Sequence, residues 1–140
     1  MEKGKRKILV VRRRELFPEA PFQGFLPAEL CDYRSRTLKY SFYIEREKAE
    51  REPSLKQPIG YGVVINLNSQ KIFAYLRSRK ESYDEKRLRG FWSWGVGGHV
   101  EELDKEAEDP VEASLRRELR EELGVEGGEE LELLGYINDD

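Results

Sequence analysis

Apolar positions along the chain fall into several short, unbroken runs and one longer run with helical spacing. Lys7–Val11 (KILVV), bounded by Arg12, Arg13 and Arg14, predicts a β-strand. Residues 15–38 hold three of the six prolines together with Gly24 and several aromatics, and predict an irregular but packed segment. Tyr40–Ile44 predicts a second short strand, and the charged run Glu45–Glu52, ended by Pro53, a helical turn or surface loop. Tyr61–Leu67 (YGVVINL) and Lys71–Arg77 (KIFAYLR) are β-branched and aromatic, with Asn68-Ser69-Gln70 between them. They predict a β-hairpin with a three-residue loop. Phe91–Val96 (FWSWGV) is extended and leads into Gly97-Gly98, and Leu131–Ile137 predicts a last strand. The chain has no internal repeat, low-complexity tract or clear linker.

The helix is the best-marked element. Asp109-Pro110-Val111-Glu112 places an acid at the N-cap, proline at the first helical position and glutamate at the third, the spacing of a capping box. Gly124 supplies the stop. Val111, Leu115, Leu119 and Leu123 form one apolar stripe, which predicts a face packed on a sheet. Glu118 and Glu122 sit on one edge of that stripe, with Glu121 just beyond, and Arg116, Arg117 and Arg120 occupy much of the rest. Like charges one helical turn apart repel by a few tenths of a kcal/mol per pair. Either these carboxylates face water or they hold a cation between them. Their i,i+3 and i,i+4 spacing lets all three converge beside one helix face, and Mg²⁺ is suited by two or three carboxylates plus substrate phosphates.

The run Arg117-Glu118-Leu119-Arg120-Glu121-Glu122-Leu123-Gly124-Val125 resembles the core of the Nudix box, R-E-aliphatic-x-E-E-x-G-aliphatic. The preceding Gly97-Gly98-His99-Val100-Glu101 resembles the glycine-led entry to that box. The resemblance implies an α/β fold, a mixed β-sheet with the box helix packed on it as in an α/β/α sandwich. It also implies hydrolysis of a diphosphate linkage, commonly in a nucleoside diphosphate joined to another group. The cofactor implied is Mg²⁺, with Mn²⁺ as an alternative. Glu118, Glu121 and Glu122 would then be metal ligands and catalytic carboxylates, with the backbone at Gly98 approaching the metal and Arg117 orienting its neighbours. The general base would be one of these glutamates or an acid outside the matched set.

The spacing departs from the family pattern at one point. After Gly98 and five intervening residues comes Asp104 instead of glutamate, and twelve residues instead of seven separate it from Arg117. The first acidic position is therefore open among Asp104, Glu106, Glu108 and Asp109. A loop longer by five residues costs little extra entropy. Only 16 residues follow Gly124, whereas the family fold continues with more strands and a second helix. A single Nudix-like domain over residues 1–140 is expected, with an extended N-terminal segment of about residues 1–58 and truncation at the C-terminus. Replacement of the missing elements by the N-terminal segment, or a homodimer whose second chain completes the sheet, are the alternatives.

Composition narrows the picture. The first hundred residues carry 21 basic and 12 acidic side chains, and the last forty carry 4 and 16. That split suits a site where a cation meets a small polyanion and disfavours binding along a nucleic-acid backbone. Arg77, Arg87 and Arg89, before the FWSW stretch, are candidates for substrate phosphates. The chain has no run of about 18 apolar residues, so no membrane span is expected, and a lone Cys31 fits a reducing cytoplasm. His99, the single histidine, predicts a loop-stabilising hydrogen bond, with a general-base role as the alternative. Trp92 and Trp94 share one strand face, which predicts core packing, with base stacking as the alternative. Tyr33, Tyr40, Phe42 and Tyr43 are expected to pack the N-terminal segment. A rival to the hydrolase is a non-catalytic metal- or nucleotide-binding module, or an inactive fragment of such a protein. An isoprenoid diphosphate isomerase, which would pair a cysteine with a glutamate, is disfavoured by the position of Cys31.

Overall fold

The computed structural model describes residues 2–76, 90–124 and 130–140. Its centre is β1 (Lys7–Arg12), whose four middle residues are buried. Leu9 and Val11 face Leu16, Phe17 and Val100, while Ile8 and Val10 face Ala49, so one strand feeds two apolar clusters. Elements on both faces cover such a strand, and here short helices do it. The chain runs from β1 into α1 (Arg13–Leu16), then β2 (Gly24–Pro27), α2 (Tyr33–Tyr40), β3 (Phe42–Glu45), α3 (Arg46–Glu50) and β4 (Leu55–Lys56). β3 and β4 pair antiparallel on either side of β1.

Residues 15–38 are more regular than their prolines suggest. Asp32 caps α2 by accepting from the backbone N–H of Ser35 at 3.0 Å and from its hydroxyl at 2.6 Å. That Asp-x-x-Ser spacing is the local signal, masked by the surrounding breakers. Packing of the aromatics follows expectation: Phe17, Phe22 and Tyr33 meet at ring-centroid distances of 5.3–5.9 Å, and Tyr40 and Tyr43 close the same cluster. Phe42 packs on the opposite side of β1.

Next come β5 (Ile59–Val63), β6 (Ile65–Asn66), β7 (Lys71–Ile72), β8 (Tyr75–Leu76), β9 (Trp92–Ser93) and β10 (Gly95–His99). The expected hairpin is present but shorter, Ile65 facing Ile72 across the turn Leu67–Gln70. Asn66 Oδ1 accepts from the N–H groups of Asn68 and Ser69, so the loop begins one residue early. Ile59–Val63 leaves this hairpin and pairs with β10 instead. β10 runs straight through Gly97-Gly98, which are strand residues and not the start of a loop: Gly97 faces Tyr61 and Gly98 faces Gly60. Trp92 and Trp94 are not core residues, being 71% and 63% exposed, because no described element covers the outer face of these strands.

α4 (Pro110–Leu123) packs on β10 and β5, followed by β11 (Gly135–Asn138). The expected last strand starts four residues late. Its partner is β2, whose ladder opens with Pro27 opposite Gly135, and the chain turns away after Pro27. All ladders among the described residues are antiparallel, and the molecule is of the α/β class. Among those residues no helix is long and apolar enough to cross a membrane.

Candidate functional site

Three glycines set how closely α4 lies on its sheet. Gly60, Gly62 and Gly98 share the face turned to the helix. A Cβ on Gly60 would stand 2.8 Å from Leu115 Cβ and 3.1 Å from the Val111 carbonyl oxygen, and one on Gly62 would stand 3.0 Å from a Leu115 methyl. Helix and sheet therefore meet nearly backbone to backbone, with Leu119 buried and Val111 and Leu115 half-buried between them. Asp109 starts the helix as expected, one carboxylate oxygen accepting from the N–H groups of Val111 and Glu112. Its other oxygen pairs with Arg34 at 2.6 Å. Glu112 does not complete a capping box; its side chain turns to Arg116 and Arg34.

The last third of α4 carries the chemistry. Glu118 folds back over β10, so that a Cβ on Gly98 would fall 2.6 Å from its Oε1. Burial pushes the Glu118 carboxyl up, the charge of Arg117 pulls it down, and Glu122, Glu121 and Glu101 raise it again; the net direction is up. Arg117 is the hub: its side chain is 11% exposed and lies 3.0 Å from Asp104, 3.3 Å from Glu118, 3.4 Å from Glu101 and 3.8 Å from Glu121. Burial pulls the guanidinium's pKa down, but the Asp104 hydrogen bond and the surrounding carboxylates raise it on balance.

Of the four acids left open in the sequence, Asp104 is the one that meets Arg117. Asp104 is buried and bonds Arg117 through both oxygens, at 3.3 Å to Nε and 3.0 Å to Nη2. It also accepts from the N–H of Glu101, whose carboxylate in turn accepts from the N–H of Asp104. That reciprocal pair caps the 3₁₀ turn Glu102–Asp104. Glu106 and Glu108 are exposed, and Asp109 is committed to the helix cap.

Other expected residues divide. His99 hydrogen-bonds Gln57 at 2.9 Å, and its carbonyl accepts from Ser114 and Arg117. Ser114, fully buried, was not singled out in the sequence; its only signal there is a polar residue beside the apolar stripe. Cys31 is half-buried and is not brought into this cluster. Glu121 and Glu122 lie at the exposed edge, and among the described residues no three carboxylate, imidazole or thiol groups stand in ligand geometry. Like charges in water spread apart, so exposed glutamates do not converge by themselves. Arg77, Arg87 and Arg89 lie outside the described residues.

The profile of the NUDIX domain family matches residues 56–140. The chain belongs to the Nudix family. Protein YmaB of Bacillus subtilis (strain 168) is 32% identical over 153 aligned residues, covering 100% of this chain and 70% of that protein. The crystal structure of Tm1382, described as a candidate Nudix hydrolase, superposes with a TM-score of 0.70 at 32% identity. It covers 96% of this chain, and the chain spans 66% of it, just under two thirds of its length. The expected family and its α/β fold are therefore established, and residues 2–55 lie outside the matched profile.

Proposed function

We propose that this chain hydrolyses a phosphoanhydride (diphosphate) bond in a small molecule, a nucleoside diphosphate derivative, in a reaction dependent on Mg²⁺ or Mn²⁺. The observation that carries this reading is Glu118: an acid largely withdrawn from water against a glycine backbone, paired with Arg117 and crowded by three further glutamates. Four carboxylates around one arginine, with Glu122 acting on Glu118 as well, leave excess negative charge, and hard oxygen donors of this kind suit a divalent cation. Gly98 leaves the space in which a Cβ would otherwise meet Glu118. The residues that would hold the ion are Glu118, Glu121 and Glu122, with the backbone at Gly98. When bound, the ion offsets phosphate charge and lowers the pKa of a water molecule.

The chain's own residues supply orientation. Asp104 fixes the plane of the Arg117 guanidinium, and Arg117 holds Glu118 against the strand. Arg77, Arg87 and Arg89 are the proposed phosphate contacts. A carboxylate of the cluster, or an acid outside it, takes the proton from the attacking water, which adds at phosphorus as the bridging oxygen leaves.

The test follows release of nucleoside monophosphate from a panel of nucleoside diphosphate derivatives during a Mg²⁺ titration. Glu118→Gln and Glu122→Gln should each lower turnover by about a hundredfold or more while the thermal transition survives. A near-wild-type rate in Glu118→Gln would sink the proposal. Mg²⁺-dependent stabilisation without any product would replace it with a binding module.

A further inference from the structure

Residues 2–55 lie outside the Nudix profile, yet they reach the cluster. Strand β1 lies beside the chain that leaves β10: Leu9 donates its N–H to the Val100 carbonyl at 2.8 Å, and Ile8 forms an antiparallel bridge with Glu101. Just before that strand, Arg6 directs its guanidinium at Glu101, Nη1 to Oε1 at 3.3 Å. The second oxygen of Glu101 faces Arg117 at 3.4 Å. A line of alternating charge thus runs Arg6, Glu101, Arg117, Glu118, beginning in the N-terminal segment and ending at the acid over Gly98. The Arg6 backbone is held as well, its carbonyl accepting from the N–H of Arg46 at 2.8 Å, the first residue of α3. Arg6 is therefore presented by a hydrogen-bonded strand end.

We propose that Arg6 is a positioning residue of the site. It holds one oxygen of Glu101 so that the other stays on Arg117, and it thereby makes the N-terminal segment part of the catalytic arrangement. Without it, Glu101 keeps a single cation, and the guanidinium of Arg117 is drawn from Glu118 toward Glu101. A surface ion pair of this exposure adds little to stability, because solvent screens it and its long side chain loses freedom. Its effect is on orientation, where small displacements of a reacting group cost much rate. This inference rests on the reading of Glu118 given above.

A double-mutant cycle in the full chain tests it, using Mg²⁺-supported hydrolysis of a nucleoside diphosphate derivative, with Glu118→Gln as control. Arg6→Ala should lower kcat by about three- to tenfold with KM unchanged. Arg6→Lys should recover part of that loss, since it restores charge without the planar fork. In a Glu101→Gln background, Arg6→Ala should add nothing further. Melting of the metal-free protein gives a readout independent of turnover: the two substitutions together should lower Tm no more than Glu101→Gln alone. Unchanged kcat in Arg6→Ala, with Glu118→Gln inactive, overturns the role of Arg6 and leaves the site intact. Additive losses do the same, because Arg6 would then act by a route other than Glu101. Wild-type turnover in Glu118→Gln removes the reading of the site and this inference together.

Discussion

A methyl group on residue 98 would lie 2.6 Å from Oε1 and 2.9 Å from Cδ of Glu118, closer than any relaxed contact allows. Gly98→Ala should therefore push the carboxylate off the strand while leaving β10 in register, since Gly98 is not at positive φ. Steady-state assay should show a loss of at least about tenfold in kcat, with the thermal midpoint lowered by only a few degrees. A mutant with full kcat would mean that the close approach of Glu118 has no catalytic use. At this scale the sequence was informative in part. That Arg117, Glu118, Glu121 and Glu122 are neighbours was legible because helical periodicity dictates it. Asp104 was one of four candidates, because a loop of irregular length obeys no period and only tertiary contact ties it to Arg117.

Strand β5 is the element that decides where α4 sits. Its two glycines face Leu115, and the 2.8 Å separation at Gly60 involves Leu115 Cβ, an atom no rotamer change can move. Gly60→Ala is expected to cost about 1–3 kcal/mol by forcing helix and sheet apart. Urea unfolding monitored by circular dichroism measures this, and an unchanged midpoint would show that the interface yields freely. The helix and its cap were readable in advance because Asp109, Pro110 and Gly124 act locally: an acid for free N–H groups, a fixed φ, and a residue at φ 67°. Strands were read less accurately. YGVVINL has uniform strand character, yet it splits at Val64 between two partners, β5 going to β10 and β6 to β7. Pairing partners distant in sequence choose such boundaries, and propensity cannot see them.

Over the whole molecule, the two ends of the chain are tied together by charge. Asp140 receives both Arg13 nitrogens, at 2.7 and 3.1 Å, and pairs with Lys56; Asn138 is buried and donates to the Phe22 carbonyl. The Arg13 hydrogen bond, then that of Lys56, holds the Asp140 carboxyl well below the ordinary carboxylate range. A folded-state pKa below the unfolded value stabilises the fold above the unfolded pKa, near 4, and that contribution fades as pH falls toward the folded value. The wild type should thus exceed Asp140→Asn in urea midpoint at pH 6, with the gap closing as the pH drops from about 4 toward 2. A gap that stays constant across this range would mean that the ion pairs contribute nothing. The pairing of β2 with β11 and the Arg6–Glu101 contact belong to the same scale, since each joins residues about a hundred positions apart.

From its sequence alone this protein has a determined helix, a determined acidic edge and a determined family, because all three depend on local spacing along one short stretch of chain and on side-chain chemistry. Tertiary structure alone decided that Gly97-Gly98 lie within a strand, that Trp92 and Trp94 stay outside the core, and that Asp104 holds Arg117. It also brought Arg6 within 3.3 Å of Glu101. Such contacts depend on how sheets pair and how much of each face is covered, and those are settled by long-range packing and not by any short stretch of chain.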